Sequence, residues 1–343
     1  MSRNTITPST DQALREPWAS HIVGTSSALR DVTCLAMQVA ASRSVTVLLV
    51  GETGTGKELF ARGIHAASPR TSDPFVAINC AAIPETLLET ELFGHEAGAF
   101  TDARTLKRGL FEIAGAGTVF LDEVAELPMK LQAKLLRVVE DRKFRRVGGV
   151  SEMNLDARII AGTNTALDTA VAQGTFRSDL FYRLNVAHIE LPPLRDRDGD
   201  VARLAKYFVH LHSDREGIPE VELSASTLAI LERHAWPGNI RELRNVIERA
   251  LVVCSGSVIE PRHLSLQRRS LVPIAPPLSG ATINIPPDGK SLDAITHEAI
   301  QATIALTNGN LSAASRILGI SRPTLARKLR ERGLVRRTIL ASA

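Results

Sequence analysis

The chain has 343 residues, 44% of them hydrophobic and 23% charged, with a formal net charge of +4. Such a balance is that of a soluble globular protein of about two or three domains, and it excludes a wholly disordered chain, a collagen and a membrane-filled one. No aliphatic run approaches the ~18 residues that a membrane-spanning helix needs, so no span of a bilayer is expected.

In chain order, residues 1–20 carry Arg3, Asp11, Arg15 and Glu16 and no apolar core. That argues against a secretory leader and for a cytoplasmic protein. Apolar runs at 45–50, 75–78, 118–121 and 158–161 read as buried strands, and helical stretches at 58–66, 129–140 and 167–172 alternate with them. The alternation predicts an α/β body whose parallel sheet is covered on both faces. The first strand leads into Gly51-Glu52-Thr53-Gly54-Thr55-Gly56-Lys57, and a helical run starts at Glu58. Glycines permit the tight loop whose backbone N–H groups surround phosphate oxygens, the helix N-terminus adds a favourable dipole, and Lys57 can reach the outer phosphates. The general pattern places a Ser or Thr hydroxyl on magnesium after the lysine; Glu58 stands there instead, so Mg²⁺ must rely on another carboxylate. The strand at 117–123 ends in two acids. Asp122 is the candidate to hold Mg²⁺, directly or through water, and Glu123 to orient or deprotonate an attacking water.

After Arg195 the strands stop, and 201–212, 224–234 and 240–253 show the spacing of a helical subdomain. Pro273, Pro276, Pro277, Pro286 and Pro287, with Gly280 and Gly289, then have the composition of a linker. Beyond it come helices at 292–306, about 312–318, and from Ser321, a good N-cap, to about 333, with Pro323 in the first turn. The spacing is that of a helix-turn-helix with Ala313, Ala314, Leu318, Ile320 and Leu325 as its core. Between residues 311 and 343 Glu331 is the only acidic residue amid many arginines, a charge bias that points to nucleic acid. Arg322, Thr324, Arg327 and Lys328 are placed for the major groove and the other arginines for phosphate. Cys34, Cys80 and Cys254 are odd in number and far apart, and read as buried small hydrophobes rather than a disulfide frame or zinc site.

Seen together, Ile22-Val23-Gly24, Gly51 to Glu58, Glu91-Leu92-Phe93-Gly94-His95-Glu96, Gly98-Ala99-Phe100-Thr101 and Phe120-Leu121-Asp122-Glu123 form one ordered set. Phe176-Arg177-Ser178-Asp179-Leu180-Phe181-Tyr182-Arg183-Leu184 and Trp236-Pro237-Gly238-Asn239-Ile240-Arg241-Glu242-Leu243 extend it. Over roughly residues 22–334 the chain resembles the bacterial enhancer-binding activators of sigma-54 RNA polymerase. The resemblance implies an AAA+ P-loop fold with a helical lid, followed by a small all-α Fis-type helix-turn-helix. The divisions it implies are a short extension at 1–20, an α/β ATPase subdomain at 21–194, the lid at 195–264, a Pro-rich linker at 265–290 and the DNA-binding domain at 291–343. It also implies a ring built from dimers, usually a hexamer, with ATP and Mg²⁺ between neighbouring subunits.

In that scheme Ile22 and Val23 pack on the adenine, while Arg177 and Arg183 are supplied in trans, one or both as arginine finger on the γ-phosphate. Asn164 resembles the first sensor of that phosphate and Arg241, in the lid, the second; Asn79 matches the residue that switches the catalytic glutamate between active and idle arrangements. The family's signature loop ends Gly-Ala-Phe-Thr-Gly-Ala and touches sigma-54 with its tip. Here the run is Gly98-Ala99-Phe100-Thr101-Asp102-Ala103, with a charged side chain where glycine leaves the backbone free. The implied function is an activator that binds paired half-sites in double-stranded enhancer DNA and hydrolyses ATP to remodel the closed complex of the sigma-54 RNA polymerase holoenzyme into the open complex. An alternative stays open on Asp102: a DNA-bound AAA+ regulator, a repressor or an activator of another polymerase form, whose loop does not engage sigma-54. Because only about twenty residues precede Ile22, control is expected from a trans-acting regulatory protein or from the abundance of the chain.

Overall fold

The computed structural model describes residues 22–101, 103–217, 219, 221–254, 256–266, 290–307 and 310–331. They divide into two compact units, separated between residues 266 and 267. In the first, five strands form one parallel sheet: β1 (Val47–Val50), β2 (Phe75–Asn79), β3 (Thr118–Asp122), β4 (Arg158–Thr163) and β5 (Ala187–Glu190), in the order β2-β3-β4-β1-β5. Their C-terminal ends lie along one edge, with Asn79 beside Asp122 and Val50 beside both Thr163 and Glu190. The strands are apolar on both faces because both faces are covered. Val47, Leu49, Phe120 and Ile160 pack with α1 (Ser27–Ala40) and α2 (Lys57–Ala66). Leu48, Val119, Leu121 and Ile159 pack on the other side with α3 (Glu85–Phe93) and α5 (Met129–Asp141), while α4 (Leu110–Ala114) adds Phe111.

A guanidinium is built into this core. Arg158 is fully buried, and its guanidinium donates to the carbonyls of Val39, Ala40 and Val45, joining the end of α1 to the approach to β1. Burial pushes its pKa down to about 10. Beyond β4, α6 (Leu167–Ala172) and α7 (Ser178–Leu184) return the chain to β5.

The helical subdomain consists of α8 (Asp200–Glu216), α9 (Ala225–Arg233) and α10 (Asn239–Val253) around Trp236, Leu204, Ile247 and Leu243. Ser224 caps α9 by accepting from Thr227 N–H. The strands do not stop at Arg195 as expected: Glu222–Leu223 pairs in parallel with Val258–Ile259. A two-residue ladder is too short to leave an alternating pattern in sequence. The cysteine expectation is likewise corrected, since Cys80 is buried but Cys34 and Cys254 are only half-buried.

In the second unit α11 (Leu292–Leu306), α12 (Leu311–Ile317) and α13 (Arg322–Glu331) enclose Ile300, Ala314, Leu325 and Leu329, with Leu318 and Ile320 against them. Ala313 is half-buried rather than central; Ile300 of α11 and Leu329 of α13 take the inward positions instead. Residues 1–20, most of the linker, Asp102 and the expected end of the third helix beyond 331 lie outside the described residues. Among the described residues no helix is long and apolar enough to cross a membrane.

Candidate active site

The phosphate loop sits where β1 ends and α2 begins. Gly54 and Gly56 take φ of 83° and 101°, a left-handed backbone that glycine adopts without steric cost. Thr55 closes the turn, its N–H and hydroxyl both donating to Glu52 O. Among the described residues the amides of Gly54, Gly56, Lys57 and Glu58 have no hydrogen-bond acceptor, so they form a ready set of donors for phosphate oxygens. Lys57 is 6% exposed, and its Nζ lies 3.0 Å from Gly51 O and 3.4 Å from Glu123 Oε1.

The acids stand at the end of β3, where Glu123 takes φ of 52°. Glu123 Oε2 accepts from Asn164 N–H at 3.1 Å, and Asn164 Nδ2 donates to Thr53 Oγ1 at 3.1 Å. One hydrogen-bonded chain thus joins Lys57, Glu123, Asn164 and the phosphate loop across three strand ends. Beside it Asp122 Oδ1 is buried without a partner, and burial raises the Asp122 pKa against the opposing pull of Lys57. Gly162 gives that oxygen room, since a Cβ there would stand 2.8 Å from it. An unpaired buried carboxylate oxygen suits a hard divalent cation, which takes one or two carboxylates and draws its other ligands from phosphate and water. Glu58 does not fill the missing hydroxyl position: its carboxylate turns outward to Arg62, 2.7 Å away.

A cleft of about 320 Å³ continues from the loop, lined by Ile22, Val23, Leu59, Tyr207, Ile240 and Arg241. Its strap, residues 22–26, is tied down by a buried pair. Arg197 donates to Val23 O and to Asp200, and Asp200 in turn accepts from Thr25 N–H, Ser26 N–H and Ser26 Oγ–H.

Three expected residues lie apart from this cluster. Asn79 neighbours Asp122 in the sheet, yet its Oδ1 accepts from Ala81 N–H and so closes its own turn rather than meeting Glu123. Arg177 forms a two-bond pair with Asp179, and Arg183 reaches Glu140 at 2.8 Å. Arg183 is exposed and Arg177 half-buried, and among the described residues neither meets the phosphate loop or the acids.

Elsewhere in the same unit, Gly98 N–H donates to Ala103 O at 2.7 Å and Ala103 N–H to Phe100 O at 2.9 Å, closing a tight loop with Phe100 42% exposed. Its base is braced by Arg146, which donates to Glu96 and twice to Glu112. In the second unit Ser321 caps α13, accepting from Thr324 N–H, with the two hydroxyls 2.7 Å apart. Arg322 and Arg327 are exposed, and Thr324 and Lys328 half-buried.

Residues 22–190 match the family described as Sigma-54 interaction domain, 195–275 the AAA+ ATPase lid domain and 291–331 the bacterial regulatory proteins of the Fis family. The regulatory protein AtoC of Escherichia coli is 45% identical over 324 residues, covering 94% of this chain and 70% of its own. The chain belongs to the sigma-54-dependent activators. It is an AAA+ ATPase with a Fis-type helix-turn-helix. The sigma-54-dependent transcriptional activator SfnR of Pseudomonas putida is 50% identical over 230 residues, 67% of this chain and 63% of its own. A crystal structure of NtrX from Brucella abortus in complex with ATP has a TM-score of 0.67 and 35% identity, over 91% of this chain and 69% of that one.

Within this activator fold several residues at the site escaped the reading of sequence. Arg195, Arg197, Asp200 and Asn239 each reach the site through partners distant in the chain, such as Asn239 to Glu52, Arg197 to Val23 and Asp200 to Ser26. Asn239 alone had a signal, its place in the run from Trp236 to Leu243.

Proposed function

We propose that the chain binds enhancer DNA through paired half-sites, assembles from dimers into a hexameric ring, and uses ATP hydrolysis to open promoters held by the sigma-54 RNA polymerase holoenzyme. The observation that carries this reading is the chain of contacts Lys57–Glu123–Asn164–Thr53 beside the unpaired Asp122 oxygen, on the polypeptide that also presents Phe100. Bound Mg²⁺ would neutralise charge on the phosphate oxygens, with Asp122 holding it. Glu123 orients the attacking water and takes its proton, with Lys57 and Asn164 fixing the carboxylate in place. The amides of the phosphate loop bind the phosphates, Lys57 reaches the outer ones, and the cleft of Ile22 and Val23 takes the base. Arg241 reads the nucleotide from the lid. Arg177 and Arg183, away from their own loop, serve the site of the next subunit, where a planar guanidinium stabilises charge on the transferred phosphoryl group. Asn79 acts on Glu123 only after its turn opens. Phe100 and Thr101 make the contact with sigma-54, and Arg322, Thr324, Arg327 and Lys328 face the major groove.

The experiment is ATP-dependent open-complex formation with sigma-54 polymerase, comparing the natural chain with Asp102→Gly and Glu123→Gln. The natural chain and Asp102→Gly are expected to open the promoter, while Glu123→Gln is expected to lose at least about 10²-fold of the rate. Opening by Asp102→Gly alone would refute productive contact by the natural loop.

A further inference from the structure

We propose that Asn239 is the positioning residue of the phosphate loop, holding it in its nucleotide-accepting shape and tying it to the lid through Glu52 and Arg195. The proposal rests on the ATPase reading and adds how the loop is held.

Asn239 is the first residue of α10, is fully buried, and has φ of 52°. Asparagine tolerates that left-handed conformation better than most residues. Its side chain is used completely. Oδ1 accepts from Leu194 N–H at 2.8 Å, where the chain passes from sheet to lid. Nδ2 donates one proton to Glu52 Oε2 and the other to Thr53 O, each at 3.1 Å. The next amide, Ile240 N–H, donates to Gly54 O at 3.0 Å. Two successive carbonyls of the loop are therefore drawn toward the lid.

Peptide geometry turns this pull into a site. In a trans peptide the N–H points opposite to the C=O of the preceding residue. Fixing Thr53 C=O on Asn239 thus aims Gly54 N–H away from the lid, into the cradle of unpaired donors. The contact is close enough to demand glycine, since a Cβ on Gly54 would stand 2.3 Å from Gly238 O.

Glu52 is a carboxylate inside a loop built for phosphate, and the same clamp turns it away. Arg195 binds it through two nitrogens at 2.9 and 2.7 Å. Arg195, and after it Asn239, hold the Glu52 carboxyl below the usual carboxylate range. Residues 194, 195 and 239 all belong to the lid side, so the anion that would repel nucleotide is what fastens the lid to the loop.

The test measures binding of ADP with a fluorescent ribose label to the full chain, with steady-state ATPase beside it. Asn239→Asp keeps an acceptor for Leu194 N–H but sets an anion against Glu52 and Thr53 O. It is expected to weaken ADP binding about tenfold and raise KM for ATP in step, with kcat changed less than about threefold. Adding Glu52→Gln places an amide opposite the new carboxylate but leaves Thr53 O without its donor, and should recover only part of the loss, about threefold of the tenfold. Arg195→Met changes an exposed side chain and keeps the proposal testable should Asn239→Asp not fold. It is expected to weaken ADP about threefold, and to have no effect in a Glu52→Gln background. Unchanged ADP binding by Asn239→Asp, no rescue by Glu52→Gln, or an equal effect of Arg195→Met in both backgrounds would overturn the proposal. Glu123→Gln separates the two levels: hydrolysis at the natural rate by that variant would bring down Glu123 as the residue that activates water, whereas the clamp stands or falls on ADP binding.

Discussion

His65, on α2, lies 7% exposed with Nδ1 2.9 Å from Thr118 Oγ1, and burial lowers its pKa below the ordinary imidazole value. A group harder to protonate when folded makes the unfolded chain bind more protons at mildly acid pH, so stability is full above the ordinary value and falls as pH drops through it toward the folded one. The thermal midpoint is expected to fall between about pH 7.5 and about pH 5.5, and the fall should shrink in His65→Gln. An identical fall in both proteins would assign it to other groups. Cys80 shows the opposite outcome of burial: its thiol is pushed up to about 12, beside Asp122 and Glu123, and should resist alkylation in the folded chain. At this scale Lys57, Asp122 and Glu123 were legible because glycines and paired acids bordering an apolar strand leave a local pattern. Asn239 and Asp200 were not, because each acts on a partner far away in sequence.

Among elements, the junction of α1 with β1 depends on Arg158, whose guanidinium serves three carbonyls and meets no carboxylate there. Arg158→Leu fills part of the space but strands those carbonyls, and is expected to cost about 3 kcal/mol in urea unfolding with an unchanged m-value. A cost below about 0.5 kcal/mol would show that water reaches the carbonyls. The recognition helix offers a milder case. Ser321 caps α13, and Ser321→Ala should cost about 1 kcal/mol and weaken DNA binding by fraying the turn that carries Arg322 and Thr324. Equal DNA affinity and equal stability would show that the cap does not hold the helix. The alternation of strand and helix was readable from apolar runs, whereas the ladder of Glu222–Leu223 with Val258–Ile259 and the inward place of Ile300 were decided by packing.

For the whole molecule, the decisive question is whether one chain completes another's site. Arg177 and Arg183 pair with Asp179 and Glu140 of their own chain and, among the described residues, do not meet the pair of Lys57 and Glu123. Glu123→Gln and an Arg177→Ala, Arg183→Ala double variant should each lose about 10³-fold or more of ATPase activity. Mixed in equal amounts they should recover about a quarter of the natural rate, because a ring with heterologous contacts then pairs an intact acid with intact arginines at about one site in four. No recovery on mixing would place hydrolysis within single chains.

Local sequence encodes the kind of machine: a strand-loop-helix for phosphate, a strand ending in two acids, and a basic helix-turn-helix. Each of these is a local pattern, since close neighbours in the chain make the loop, the strand end or the helix face. Folding settles how the phosphate loop is held, which acid oxygen is left without a partner, and what fastens the strap at 22–26. Those outcomes depend on Asn239 reaching back to Glu52, on Gly162 making room beside Asp122, and on Asp200 binding Ser26. Contacts over such separations arise only when strands pair and the sheet and the helical subdomain close on each other, and no local period or spacing encodes them.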